Sequence, residues 1–118
     1  YAIAWRPEIA PGTDQVGSVQ AISAETGRVV WNYQQRAATM ALAATGGGLV
    51  FGGDVNGRFR AFDDRTGEIL WEINLGSPVS GFPITYAVDG RQYVAAPVGG
   101  NRSNAIYVFA LPVEADGR

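Results

Sequence analysis

Polar and apolar positions alternate with a period of two along much of this chain, the pattern of half-buried β-strands. Ten short strand candidates, some alternating and some continuously apolar, lie at 1–5, 17–23, 28–33, 38–44, 49–52 and 58–63, then at 68–74, 82–86, 92–97 and 105–111. Turn formers separate them: Pro7, Pro11 and Gly12, then Glu25-Thr26-Gly27, Gly46-Gly47-Gly48, Asp54-Val55-Asn56-Gly57 and Asp89-Gly90. Asn-Gly and Asp-Gly between alternating runs signal tight hairpins. Arg58 and Arg60 alternate with Phe59 and Ala61, which predicts that the two arginines share a solvated strand face.

The pattern also repeats at an offset of forty residues, from position 21 to position 61. Ala21, Thr26, Gly27 and Trp31 return as Ala61, Thr66, Gly67 and Trp71, with apolar residues recurring beside them. A period of about forty residues with strands and tight turns in each unit signals β-propeller blades. The fold class expected is therefore all-β, built from four-stranded antiparallel blades. Grouped in fours, the strands make a blade at 1–44, a second at 49–86 and a half blade at 91–112, with 113–118 a polar tail. The match of 57–62 to 104–109 supports the half blade. Propellers close with about four to eight blades. Two and a half blades leave apolar faces and open strand edges. The sequence also opens at Tyr1 inside a strand-like run, without Met, which predicts a cut end.

The turn inside each repeat has a physical logic. Asp63 can accept hydrogen bonds from the backbone that follows it, and Gly67 can take the positive φ such a turn needs. Trp71, like Trp31 before it, is expected to lie flat over the next blade's turn, its indole N–H finding one acceptor. Ser23 stands where the second repeat has Asp63, so the first turn should be the weaker one.

Composition narrows the function more than the fold. The chain has 118 residues, 47% of them hydrophobic, a net charge of −2 and no His or Cys. All of its basic residues are Arg. The slight acidic balance argues against a nucleic-acid or anionic-membrane surface. No apolar run reaches the length of a membrane span. Without His or Cys, a Ser-His-Asp triad, a Cys nucleophile and the usual zinc sites are excluded within the chain. Asp63-Asp64 reads as turn chemistry. Asp54-Val55-Asn56-Gly57 lacks the later ligands of a calcium loop, and the glycine run at 46–48 lacks the Lys of a phosphate loop.

The repeat resembles that of the quinoprotein dehydrogenases, the PQQ-dependent alcohol and sugar dehydrogenases. Ala61 to Trp71 fits that family's tryptophan-docking pattern Ala-x-Asp-x-x-Thr-Gly-x-x-x-Trp throughout. The segments at 44–53, 81–86, 89–95 and 104–112 are similar, in order, to the C-terminal blades of the same family. The resemblance implies a fragment of an eight-bladed propeller that holds PQQ and a calcium or lanthanide ion on its axis. It implies hydride transfer from an alcohol or sugar to the quinone while an Asp takes the hydroxyl proton. In that family the Asp, the main metal ligands and the stacking groups lie mostly in earlier blades. This chain is then expected to bind no cofactor alone and to have no catalytic or metal-ligating residue of its own.

Two stretches are candidates for cofactor contact. Ala37-Ala38-Thr39-Met40-Ala41 stands where many relatives carry a Trp followed by glycines, so Thr39 and Met40 mark a departure from the family pattern. Gly99, Gly100 and Asn101 lie where relatives bring backbone close to the quinone, and glycines there permit close approach. The resemblance implies a periplasmic location, a small alcohol or sugar as substrate, and further blades or other copies of the chain as partners. Two other readings stand beside it: a non-catalytic propeller scaffold that binds proteins, and a short chain that closes a ring by self-association.

Overall fold

The computed structural model describes residues 11–100 and 104–113, which contain strands and no helix. The strands are β1 (Gly17–Ile22), β2 (Val29–Gln35), β3 (Thr39–Ala44), β4 (Leu49–Asp54), β5 (Arg58–Asp63), β6 (Ile69–Asn74), β7 (Ile84–Val88), β8 (Arg91–Gly99) and β9 (Asn104–Phe109). Each falls on a run expected from the alternation; the run at 1–5 lies outside the described residues. The strands form three antiparallel sheets, ordered β1-β2, β3-β4-β5-β6 and β7-β8-β9. The all-β, multi-sheet architecture expected of propeller blades is what the chain adopts.

The strands group differently from the sequence expectation. β3 was expected to end the first blade, yet it pairs with β4 and opens the four-stranded sheet. The glycine run between them is a hairpin turn: Thr45 N donates to Leu49 O at 2.9 Å, and Gly48 takes φ 90°. β7, expected in the second blade, pairs with β8 through a turn in which Asp89 and Gly90 both have positive φ, at 50° and 77°. That is the backbone of a two-residue hairpin whose twist matches its strands. The crossings between sheets are the segments after β2 and after β6, not the glycine run.

The forty-residue repeat is a repeat of geometry. Ala21 pairs with Trp31 and Ala61 with Trp71, each followed by a bulge at the next residue. In the second turn, Asp63 Oδ1 accepts from Arg65 N (2.8 Å) and Thr66 N (3.2 Å), and Gly67 takes φ 74°. In the first, Ser23 Oγ accepts from Thr26 N alone, at 3.3 Å. A carboxylate acceptor makes the stronger hydrogen bonds, so the turns rank as expected.

Trp31 lies against the second turn. Its Nε1–H donates to Asp64 O at 2.8 Å, and a Cβ added at Gly67 would come within 2.5 Å of its Cε3. The ring stacks on Phe62 with centroids 6.2 Å apart, so it joins the first sheet to the second. Trp71 behaves differently. It meets Phe109 edge-on at 5.2 Å and faces a groove of about 610 Å³ whose lining includes Leu111 and Pro112. Ala110-Leu111-Pro112 after β9 supplies no Asp-x-x-Thr-Gly turn for the ring to cover.

The core lies between the second and third sheets, where Phe51, Phe59, Ala61, Leu75, Val79, Ala96 and Val98 are buried together. The outer sheets leave apolar faces bare. Val30 is 60% exposed on β2, and Ile106 and Val108 are 70% and 51% exposed on β9.

Candidate functional site

The start of β3, the β4–β5 turn, the β6–β7 linker and the end of β8 are hydrogen-bonded together at one end of the sheets. Val55 N donates to Ala38 O (3.1 Å), Leu75 N to Gly57 O (2.8 Å), Val79 N to Asp54 O (3.1 Å) and Gly99 N to Pro78 O (2.9 Å). Local chemistry explains the turn. Gly57 takes φ 86° and its N–H donates to Asp54 O at 3.2 Å, so Gly57 alone carries the left-handed residue of this hairpin. The side chain of Asp54 finishes the job, accepting from Asn56 N (2.8 Å) and Arg58 N (3.1 Å).

Behind this turn is an ion network that is buried at Asp54 and Arg60 and exposed at Arg58 and Glu72. Asp54 is 1% exposed and Arg60 6%. Arg60 Nη1 donates to Asp54 Oδ2 at 3.0 Å and its Nε to Glu72 Oε2 at 2.8 Å; Arg58 Nη1 reaches Glu72 Oε1 at 2.6 Å. The Arg60 guanidinium also lies over the Tyr33 ring, 5.6 Å from its centroid. The expectation that Arg58 and Arg60 share a solvated face is therefore corrected: Arg60 is buried. A blade's central strand is covered on both faces, so a polar residue in the alternation can face a neighbouring sheet. Hydrogen bonding from Arg60, with help from Arg58 and against the cost of burial, holds the Glu72 carboxyl below its usual range. Burial works against the Arg60 charge, but its acidic partners outweigh burial and hold it more firmly protonated. These carboxylates are committed to arginines and turns, which leaves them unsuited to taking a substrate proton.

The structure ties both stretches expected to face a cofactor to this turn. Thr39 is half-buried, pairs with Asp54 across the β3–β4 ladder, and donates its hydroxyl to Ser18 O at 3.1 Å. A register irregularity between Thr39 and Leu42 lifts Met40 out of regular pairing. Such bulges re-aim side chains. Gly99 is half-buried and Gly100 exposed; a Cβ at Gly99 would collide with Asn104 Oδ1 and come within 3.2 Å of Ser80 Oγ. Asn101 lies outside the described residues.

What was missed from sequence is the Asp54–Arg60–Glu72 network. Its signal was available, because hairpin pairing of Ala61 with Trp71 sets Arg60 directly opposite Glu72, a favourable cross-strand charge pair.

A model of the PQQ glucose/ethanol/alcohol dehydrogenase β-propeller domain matches residues 35–94, which include Thr39, Met40 and the whole ion network. The chain belongs to this family. It is 45% identical over 87 residues to a quinoprotein ethanol dehydrogenase of Pseudomonas putida, an alignment covering 73% of this chain and 14% of that protein. The chain thus spans a small part of the curated relatives it matches. A europium-containing methanol dehydrogenase superposes with a TM-score of 0.70 at 37% identity, over 75% of this chain and 16% of that one. BamB from Moraxella catarrhalis superposes with a TM-score of 0.53 at 21% identity, over 84% of this chain and 34% of that one. That last likeness shows the fold alone.

Against the family's cofactor, the space a side chain at Gly99 would take is already held by Asn104 Oδ1 and Ser80 Oγ, so of the two glycines it is the exposed Gly100 that offers open backbone to a flat ring. Among the described residues, no group of three or more His, Cys, Asp or Glu could hold a metal ion.

Proposed function

We propose that this chain is a segment of a PQQ-dependent dehydrogenase that oxidises alcohols or sugars, supplying blades and part of the wall of the quinone site. The observation that carries this reading is the family match over residues 35–94, joined to 45% identity with a quinoprotein ethanol dehydrogenase. When bound, the quinone supplies the hydride acceptor for the alcohol carbon. Thr39 and Met40 on β3, Gly99 at the end of β8, and Gly100 and Asn101 following it in sequence are the residues of this chain that would line it. Their contribution is shape and exclusion of water. The proton acceptor and the calcium or lanthanide ligands would come from outside the chain.

The bare faces of β2 and β9 support further blades as the neighbours of this segment. A periplasmic location goes with the family resemblance. The test is to purify the protein that carries this chain, supply PQQ with calcium or a lanthanide, and follow dye reduction with primary alcohols and with sugars. Reduction dependent on both quinone and alcohol or sugar is expected. A folded protein that reduces dye with neither class of substrate would sink the reading.

A further inference from the structure

Asp54 is nearly sealed from solvent, yet it lies at the junction of the two stretches assigned to the quinone wall. Its Oδ1 fixes the 54–57 turn through Asn56 N and Arg58 N, and its Oδ2 is clamped by Arg60 Nη1. From that turn one hydrogen bond runs directly to the first wall, and two run to the second through the β6–β7 linker. Val55 N donates to Ala38 O, beside Thr39 and Met40. Asp54 O accepts from Val79 N, while the adjoining Pro78 O accepts from Gly99 N. Val79 is fully buried and fills the space a side chain at Gly53 would need, so the β6–β7 linker is seated against β4. The spacing between the two walls is thereby set by one turn and the carboxylate that holds it.

We propose that Asp54 is a positioning residue for the quinone site: its carboxylate, clamped by Arg60, fixes the Thr39-Met40 and Gly99-Gly100 stretches relative to each other. The role in cofactor binding rests on the reading given under Proposed function; the mechanical role does not. An amide cannot replace the carboxylate. Asp54→Asn keeps the shape, but its single oxygen can serve either the two backbone N–H groups or Arg60, leaving donor against donor at the other end. A wall no longer held in its bound geometry must be ordered when the ligand binds, and that cost weakens binding.

The test uses the protein that carries this chain and two readouts. The first is PQQ affinity of the cofactor-free protein, by fluorescence titration; the second is deuterium uptake by residues 36–42 and 95–100. Asp54→Asn should weaken PQQ binding on the order of tenfold or more. It should also speed uptake in both stretches while leaving 61–71 at the wild-type rate. Trp31→Phe, which loses the indole hydrogen bond between the first and second sheets, serves as the stability control. It should lower thermal stability while leaving PQQ affinity and both stretches unchanged. If Asp54→Asn does not fold, Arg60→Lys, which cannot serve Asp54 and Glu72 with the same fork, should give the same two signatures. Wild-type affinity and wild-type uptake in the Asp54→Asn protein would overturn the inference. So would affinity that falls equally in Trp31→Phe at matched loss of stability. Wild-type protein that binds no PQQ would overturn the functional reading instead, and uptake would still decide whether Asp54 fixes the two stretches.

Discussion

Replacing Gly67 by Ala tests the contact that joins the first two sheets, and the chain carries its own control. Gly27 and Gly67 occupy the same place in the two copies of the repeat, with φ of 69° and 74°. A Cβ at Gly27 meets nothing within 4 Å, whereas one at Gly67 would come within 2.5 Å of Trp31 Cε3. Left-handed backbone costs an L-residue about 1–2 kcal/mol, and this applies equally to both. At Gly67 the ring must also move. Losing the Trp31 Nε1–H hydrogen bond to Asp64 O adds roughly 0.5–1.5 kcal/mol, and re-exposing part of the ring adds about 1 kcal/mol. Gly67→Ala should therefore cost about 2.5–4.5 kcal/mol against about 1–2 kcal/mol for Gly27→Ala. Equilibrium denaturation of the 118-residue chain, in which Gly27 faces open space, measures both. In a Trp31→Ala background the excess should vanish, since nothing remains for the new methyl to strike. Equal costs in the wild-type background, or an excess that survives removal of Trp31, would refute the argument.

Other outcomes follow from the ion network and the missing chemistry. Arg60→Met leaves Asp54 buried without its cation and should destabilise by about 3–5 kcal/mol, as read by denaturant titration. Glu72 has its folded pKa held below the unfolded one, so its stabilising contribution is full above the ordinary glutamate value of 4.5 and is lost as pH falls through the lower, folded value. The stability gap between wild type and Glu72→Gln should thus be constant at neutral pH and close only in acid; a gap that widened on acidification would contradict the assignment. The 118-residue chain alone, given PQQ and calcium, should show no alcohol-dependent dye reduction, and steady turnover by pure material would show that it holds the missing groups.

Local chemistry made much of the fold legible. Asp89-Gly90 and Asp54 to Gly57 named their hairpins, and the two Thr-Gly turns named the repeat, because each depends on residues adjacent in sequence. The sheet to which β3 belongs was not legible, since a run of three glycines reads equally as a break between blades or as a turn within one. The environment of Arg60 was hidden for a different reason. Period two says which residues share a face, but not whether another sheet covers it, and β5 is buried on both sides. Trp71 shows the limit of repeat logic: its ring meets Phe109 edge-on, and Ala110, Leu111 and Pro112 follow β9 where a third Thr-Gly turn would be needed for it to cover. At the candidate site, resemblance alone put forward Thr39, Met40, Gly99, Gly100 and Asn101. The turn at 54–57 that is bonded to their neighbours was not legible, because its bonds run between segments far apart in the chain.

The central claim is that this chain forms part of a quinone-dependent dehydrogenase. The most direct measurement is a titration of the cofactor-stripped protein carrying it with PQQ and calcium, followed by addition of ethanol while the quinone absorbance is recorded. The account predicts saturable, stoichiometric binding and an alcohol-dependent change from the oxidised to the reduced quinone spectrum. A folded protein that takes up no quinone, with either calcium or a lanthanide present, would contradict it.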